Sequence, residues 1–372
     1  MNLNDKLKSI NELPNGIAKI ITQEKAIKEN IEYIKKRASG EIKALGTCYS
    51  KLNKALGGGF ETNTILTLSG LSGGGKSTLS KRLMNSITDN VISSNRTCVS
   101  LSFNFEMLAH KTVGREISNM SKMTLKELYS SDHPLADHVI DRLIRKHYDK
   151  INKYPIIYVE EPENHITIGN SIYYYWHKLC KKDNSVMIVE IDHAVITKGK
   201  DSDTQKDKID DLMETINRVK KRIASEGGEV FYLILSQMNR DIKHRDRLTD
   251  PSQHYPVSSD LMSSSSLEFY SDYILISHIP AKLHLKSYTD NKFPIYLNDG
   301  NNSVSFVYWH LIKNRDGESD IIFPMLNNLK YFDFVEVQSE DFVRYHKDFV
   351  TTGMCHKIKD EEESDQEEQI YL

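Results

Sequence analysis

Ile65-Leu66-Thr67-Leu68-Ser69-Gly70-Leu71-Ser72-Gly73-Gly74-Gly75-Lys76-Ser77-Thr78 passes from an apolar run into a glycine-rich turn and then into helix-forming sequence. The first six residues read as a buried strand, and a helix is predicted to begin near Ser77. Between them Gly70, four residues, Gly75, Lys76 and Ser77 fill the phosphate-loop template G-x-x-x-x-G-K-[ST]. Each residue type has a physical task there. Gly70, Gly73, Gly74 and Gly75, with Ser72 between them, let backbone N–H groups close around phosphate oxygens. The helix start at Ser77 and Thr78 adds a favourable dipole, Lys76 places a cation on the β- and γ-phosphates, and Ser77 supplies a magnesium ligand. A flexible glycine-rich turn is the plainer reading, and the order strand, loop, helix argues against it.

The same texture continues outward. TCVSLSF (97–103), PIIYVEE (155–161), SVMIVEID (185–192) and EVFYLILSQ (229–237) are short apolar runs separated by amphipathic segments. That alternation predicts an α/β fold with a mostly parallel central sheet of the P-loop kind. A magnesium nucleotide site needs a carboxylate at the end of a neighbouring strand, and Asp192 stands there; Glu190, on the same face by period two, is a weaker rival. SFNFEM (102–107) brings Glu106 to another strand tip, as a base for an attacking water or simply as an acid favoured by a helix N-terminus. Gln237 ends a further strand, either as a γ-phosphate sensor or as a cap on backbone groups.

Around this core the chain divides into three expected regions. Residues 1–45 form an N-terminal helical linker segment, with Ile17, Ile20, Ile21, Ile27, Ile31 and Ile34 spaced helically among charges. Residues 46–335 form the ATPase domain, closing with SVSFVYWHLIKNR (303–315) and SDIIFPML (319–326), a C-terminal β-hairpin turning at Asp316-Gly317. Residues 336–372 form an extension with a disordered acidic tail, where seven acids and no Lys or Arg occupy the last thirteen residues. A docking peptide is the functional alternative for that tail.

The 372 residues, 39% hydrophobic and 27% charged, exclude full-length disorder and a collagen-like fibre. The net charge of −3 becomes positive once the tail is set aside, which suits nucleic-acid binding without requiring it. Cys48, Cys98, Cys180 and Cys355 are widely separated and read as isolated reduced thiols. No run approaches a membrane span, and the polar N-terminus lacks a secretory pattern, so the expected location is cytoplasmic.

The succession of elements resembles the ATPase domain of the DnaB family of hexameric replicative helicases, which are RecA-like motors. The resemblance runs from about residue 28 to about residue 330. It begins with ENIEYIKKRASG and ALGTCYSKLNKALGGGF, similar to the family's linker helix and the segment before the phosphate loop. GLSGGGKST, SFNFEM, PIIYVEEPENHITIGNSI, VMIVEIDHAVI, LILSQMNRDIKHR, PVSSDLMSSSSLEFYSDYILI and HLIKNRDGESDIIFPML then follow in the family's order. The resemblance implies a RecA-like core, ATP and Mg2+ as ligands, Glu106 as catalytic base, Asp192 as the second metal-site residue, and Gln237 as the nucleotide-sensing amide. It implies that Lys313 and Arg315 reach a neighbouring subunit's nucleotide, Arg315 as a finger in trans. Two departures stand out: His193-Ala194-Val195 where the family has Tyr-Leu-Gln, and Asp260-Leu261-Met262 where it has Asp-Leu-Arg. No counterpart of the family's N-terminal helical domain precedes the linker-like helix, a reduced form that suits a phage or mobile element.

Two loops are expected to grip single-stranded DNA in a ring's channel. The first runs from Thr197 to Lys208 and holds Lys198 and Lys200; the second runs from Asn239 to Tyr255 and holds Arg240, Lys243, Arg245 and Arg247. A solvated charged loop is the plainer reading, since Asp201, Asp203, Asp241 and Asp246 dilute the positive field. The function expected is an ATP-dependent replicative DNA helicase, by resemblance a homo-oligomeric hexameric ring moving 5′ to 3′ on single-stranded DNA. A primase, a loader or a single-strand-binding protein are the further partners, and no membrane is involved. The alternative is a RecA-like ATP-dependent recombinase or helicase loader that does not unwind.

Overall fold

The computed structural model describes residues 21–182, 185–194, 197–199, 203–262, 264–285, 287–289, 293–299, 302–337 and 355–356. The acidic tail, Lys200, Val195 and the first 20 residues lie outside the described residues. Contacts divide the chain into two units, residues 1–44 and residues 45–372.

In the first unit, helix α1 (Gln23–Ser39) starts at Thr22, whose hydroxyl accepts from the Lys25 N–H at 3.3 Å, and stops at Gly40 in the left-handed region. Glu24 lies in its first turn and Lys36 and Arg37 in its last, which suits the helix dipole, and Glu24–Lys28 pairs one turn apart. The Ile27, Ile31 and Ile34 stripe is exposed, and none of the described residues of this unit covers it.

In the second unit the chain runs through α2 (Ser50–Ala55), β1 (Thr64–Gly70), α3 (Lys76–Ser93), β2 (Cys98–Asn104), α4 (Ala109–Ser121), α5 (Leu125–Leu128), α6 (Asp137–Asn152), β3 (Ile156–Val159), α7 (His165–Leu179), β4 (Val186–Asp192), α8 (Gln205–Ser225), β5 (Glu229–Leu235), α9 (Arg245–Thr249), α10 (Ser264–Tyr270) and β6 (Tyr273–His278). It ends with β7 (Tyr296–Asp299), β8 (Asn302–Asn314), β9 (Ile321–Asn328), β10 (Asp333–Glu336) and β11 (Cys355–His356). One sheet has the order β10-β9-β8-β6-β1-β5-β4-β2-β3, with β7 beside β8 and β11 beside β9. The six strands from β6 to β3 are parallel, whereas β8, β9 and β10 run antiparallel to their neighbours.

Alternate residues of the same strand feed opposite faces, which explains the unbroken apolar runs. Leu66, Leu68, Phe231 and Leu233 pack with Leu79, Leu83 and Ile87 of α3 on one face. Ile65, Tyr232, Ile234, Val189 and Ile191 pack with Ile172 and Trp176 of α7 and Leu212 and Ile216 of α8 on the other. The mostly parallel sheet and the β8–β9 hairpin are as the sequence predicts. Beyond the apolar runs read as strands in the sequence, β6 is a sixth parallel strand inserted between β1 and the hairpin.

Candidate active site

Parallel strands bring their C-terminal ends to one edge, and the polar residues of interest gather there. The loop after β1 is folded on itself: the Gly74 N–H donates to the Leu71 carbonyl at 2.8 Å, and the Ser277 hydroxyl of β6 donates to the Gly74 carbonyl at 2.7 Å. Gly75 has φ +85°, and a Cβ there would stand 2.5 Å from Phe334 and 2.8 Å from Leu329, so both conformation and space demand glycine. Lys76 opens α3 and donates to the carbonyls of Gly70 at 2.9 Å and Leu71 at 3.3 Å.

Asp192, the last residue of β4, accepts a hydrogen bond from the Ser77 hydroxyl at 2.8 Å. Its companion Glu190 is buried and accepts from the hydroxyls of Ser80 and of Ser102, the latter at 2.6 Å. Glu190 therefore braces α3 and β2 against β4. Burial, and secondarily the Glu190 charge, push the Asp192 carboxyl up to about 7. A hydroxyl and a buried carboxylate side by side are hard oxygen donors. The residues present therefore fit Mg2+.

Two other strand tips converge on this point. The Phe105 N–H donates to the Asp192 carbonyl at 2.7 Å, which fixes the chain where Glu106 follows. Likewise the Ser236 N–H donates to the Leu68 carbonyl at 2.9 Å and the Met238 N–H to the Gly70 carbonyl at 3.4 Å, so Gln237 stands beside the phosphate loop. A cavity of about 260 Å³ is lined by Ser72, Gly73, Gly75, Lys76, Ser77 and Thr78 together with Glu106 and Gln237. A smaller recess of about 20 Å³ adjoins it, shares Ser77 and Thr78, and holds Asp192 and Glu190. The structure thus brings together the phosphate loop, Asp192, Glu106 and Gln237 from four strand ends. Burial lowers the Lys76 ammonium from its ordinary value, against the pull of Asp192 and Glu106. An anionic polyphosphate would restore it.

The sequence profile of the DnaB-like helicase C-terminal domain matches residues 44–334. The chain belongs to that family. No curated protein matches it. The solved ATPase domain of G40P shares its fold with a TM-score of 0.65 at 16% identity, covering 84% of this chain and 99% of that one. A solved DnaB-like replicative helicase, studied with its primase interactions, gives 0.66 at 18% identity over 86% of this chain and 69% of that one. The DnaB-like chain is accordingly an enzyme of an ATP-hydrolysing helicase family with a RecA-like core, and among its described residues no helix is long and apolar enough to cross a membrane.

Several residues of the DnaB-like site were not legible in the sequence. Arg115 of α4 lines both cavities, with its guanidinium over the Phe332 ring at 5.1 Å. Phe332 and Leu329, from the connection between β9 and β10, form the cavity's apolar wall. Lys282, from the turn after β6, donates to the Gly73 carbonyl. Helical spacing places Lys111 and Arg115 on one face of α4, which is the one available signal; nothing in the sequence points to Phe332 or Lys282.

The other candidates lie elsewhere. Lys198, Arg240, Lys243 and Arg245 are exposed on the loops leaving β4 and β5. Arg247 requires a correction: it donates to both carboxylate oxygens of Asp260, which is 1% exposed, and to the Tyr255 carbonyl at 2.8 Å. Arg247 therefore holds the second loop together and is withdrawn from its basic surface. Lys313 and Arg315 stand at the far end of β8, where Lys313 donates to the Glu268 carbonyl and Arg315 Nε lies 3.1 Å from Asp272 Oδ1. They are not at their own chain's cavity.

Proposed function

We propose that this chain is an ATP- and magnesium-dependent replicative DNA helicase that assembles as a hexameric ring and translocates 5′ to 3′ on single-stranded DNA. The observation that carries the ring is the placement of Arg315. Its partner Asp272 also accepts from the Ile65 N–H at the start of β1, whereas the phosphate loop follows Gly70 at the other end. Five residue steps of strand span ~17 Å, far beyond an arginine side chain. That distance supports a site completed by a neighbouring subunit's Arg315, and a closed ring gives every site such a neighbour.

Within one site the phosphate loop and Lys76 would hold the polyphosphate, and Ser77 and Asp192 would hold Mg2+, which would supply positive charge against the polyphosphate. Glu106 orients the attacking water and takes its proton, and Gln237 contacts the γ-phosphate. The Gln237 carbonyl accepts from the Met262 N–H at 3.0 Å, and the Asn239 N–H donates to the Asp260 carbonyl at 2.7 Å, so Gln237 sits at the root of the second loop. A shift at Gln237 is thereby passed to Arg240, Lys243 and Arg245, which with Lys198 and Lys200 follow the phosphates of the strand without reading bases. A cytoplasmic location and partnership with a primase, loader or single-strand-binding protein accord with this role.

ATP turnover measured with and without single-stranded DNA, from nanomolar to micromolar protein, tests the reading. Turnover per subunit that rises with DNA and with protein concentration is expected, as is strand displacement on a forked duplex. Stimulated turnover without displacement would point to the recombinase or loader alternative.

A further inference from the structure

We propose that Asp272 is a positioning residue that sets the pose in which Arg315 is presented to the neighbouring subunit; the proposal rests on the trans reading of Arg315. Asp272 lies between α10 and β6 and is 6% exposed. Its Oδ1 lies 3.1 Å from Arg315 Nε, and its main-chain carbonyl accepts from the Arg315 N–H at 3.0 Å. Its Oδ2 is itself locked, accepting from the Ile65 N–H at 2.8 Å and from Lys220 Nζ at 3.1 Å. The carboxylate cannot swing, and neither can the arginine bound to it.

An arginine just past a strand end, with its side chain half exposed, would otherwise sample many rotamers. Here Nε is held by Asp272, and Nη2 donates to the carbonyls of Phe269 at 3.3 Å and Ser271 at 3.5 Å. Nη1 is left out of these bonds. The pose is referred to β1, the strand that carries the same subunit's phosphate loop at its other end. One carboxylate serves both Lys220 and Arg315, so the group keeps a net positive charge toward a neighbour's anion. Such preorganisation lowers the cost of meeting charge in a transition state.

The test is Asp272→Asn in the full chain. An amide cannot satisfy Arg315 Nε, the Ile65 N–H and Lys220 at once, because one of its two positions is a donor. The expected result is a fall in kcat of about tenfold with KM and ATP-analogue affinity within about twofold. In an Arg315→Ala background Asp272→Asn is expected to cause no further fall, which a merely structural role would not produce. Mixing Asp272→Asn chains with Lys76→Ala chains is expected to recover turnover beyond the sum of the two alone, since each supplies what the other's site lacks. Wild-type kcat in Asp272→Asn, or an equal fall in the Arg315→Ala background, overturns the positioning role. Wild-type turnover in Arg315→Ala overturns the trans reading and this proposal with it. Should Asp272→Asn melt at the assay temperature, Asp272→Glu keeps the charge and displaces it by one methylene; the same non-additivity with Arg315→Ala is expected, and an unchanged kcat overturns the proposal.

Discussion

The Ser77 hydroxyl and Asp192 Oδ2 meet at 2.8 Å, joining the first turn of α3 to the last residue of β4. The helix that follows the glycine-rich loop is thereby tied to the end of β4 that carries Asp192. Asp192→Asn keeps the size and the hydrogen-bond acceptor and removes the charge. Magnesium-dependent turnover is expected to fall at least about a hundredfold while the fold is retained. A magnesium titration of ATP turnover checks this, and a wild-type profile would remove Asp192 from the metal site.

Lys76→Ala and Arg315→Ala are expected to fail differently. Lys76 stands within the loop, so its loss removes both phosphate binding and hydrolysis. Arg315 stands at the opposite end of the sheet, so Arg315→Ala is expected to leave ATP-analogue affinity within about twofold and to lower kcat about a thousandfold. Equilibrium binding beside steady-state turnover separates the two, and weakened binding in Arg315→Ala would place that residue in its own chain's site.

Arg245 and Arg247 of the second loop make a similar contrast. Arg247 compensates the buried Asp260 carboxylate, so Arg247→Ala strands a charge and is expected to cost ~3–5 kcal/mol of stability. Arg245 is exposed, and Arg245→Ala is expected to leave stability within about 0.5 kcal/mol while weakening single-stranded DNA binding and flattening its salt dependence. Chemical denaturation and DNA titration at two salt concentrations supply both readouts. Equal stability of the two variants would return Arg247 to the basic surface.

Much of the frame was legible because burial on both faces writes continuous apolar runs into β1, β2, β4 and β5, and because a phosphate loop fixes its residues within one short stretch. Strand β6 is not legible as a strand because its apolar run follows the serine-rich stretch around α10, where local pattern gives no boundary. Arg115, Phe332 and Lys282 reach the site from three separate elements, and only the folded sheet brings them together. Arg247 reads as one more base of its loop in sequence; its commitment to Asp260, thirteen residues on, is a matter of how that loop closes.

His278, at the end of β6, is expected to make the chain sensitive to acid. It is fully buried against Tyr288 and His310, with ring centroids 5.4 and 5.9 Å away, and neither ring nitrogen has a hydrogen-bond partner among the described residues. Burial, with smaller contributions from His254 and Arg247, pushes its pKa from an ordinary 6.5 down to about 3. Between those values the unfolded chain binds the proton and the folded chain does not. The folded state is thus favoured fully above pH 6.5 and loses stability as pH falls through the window, by up to about 1.4 kcal/mol per pH unit. His278→Phe removes the proton site and two unpaired nitrogens at similar ring size, so at pH 7.5 it is expected to be no less stable than the native chain. Urea midpoints at pH 7.5, 6 and 5 are expected to show the variant gaining on the native chain as pH falls, over and above the carboxylate losses that both share. A constant difference across that range would assign the acid sensitivity to other groups.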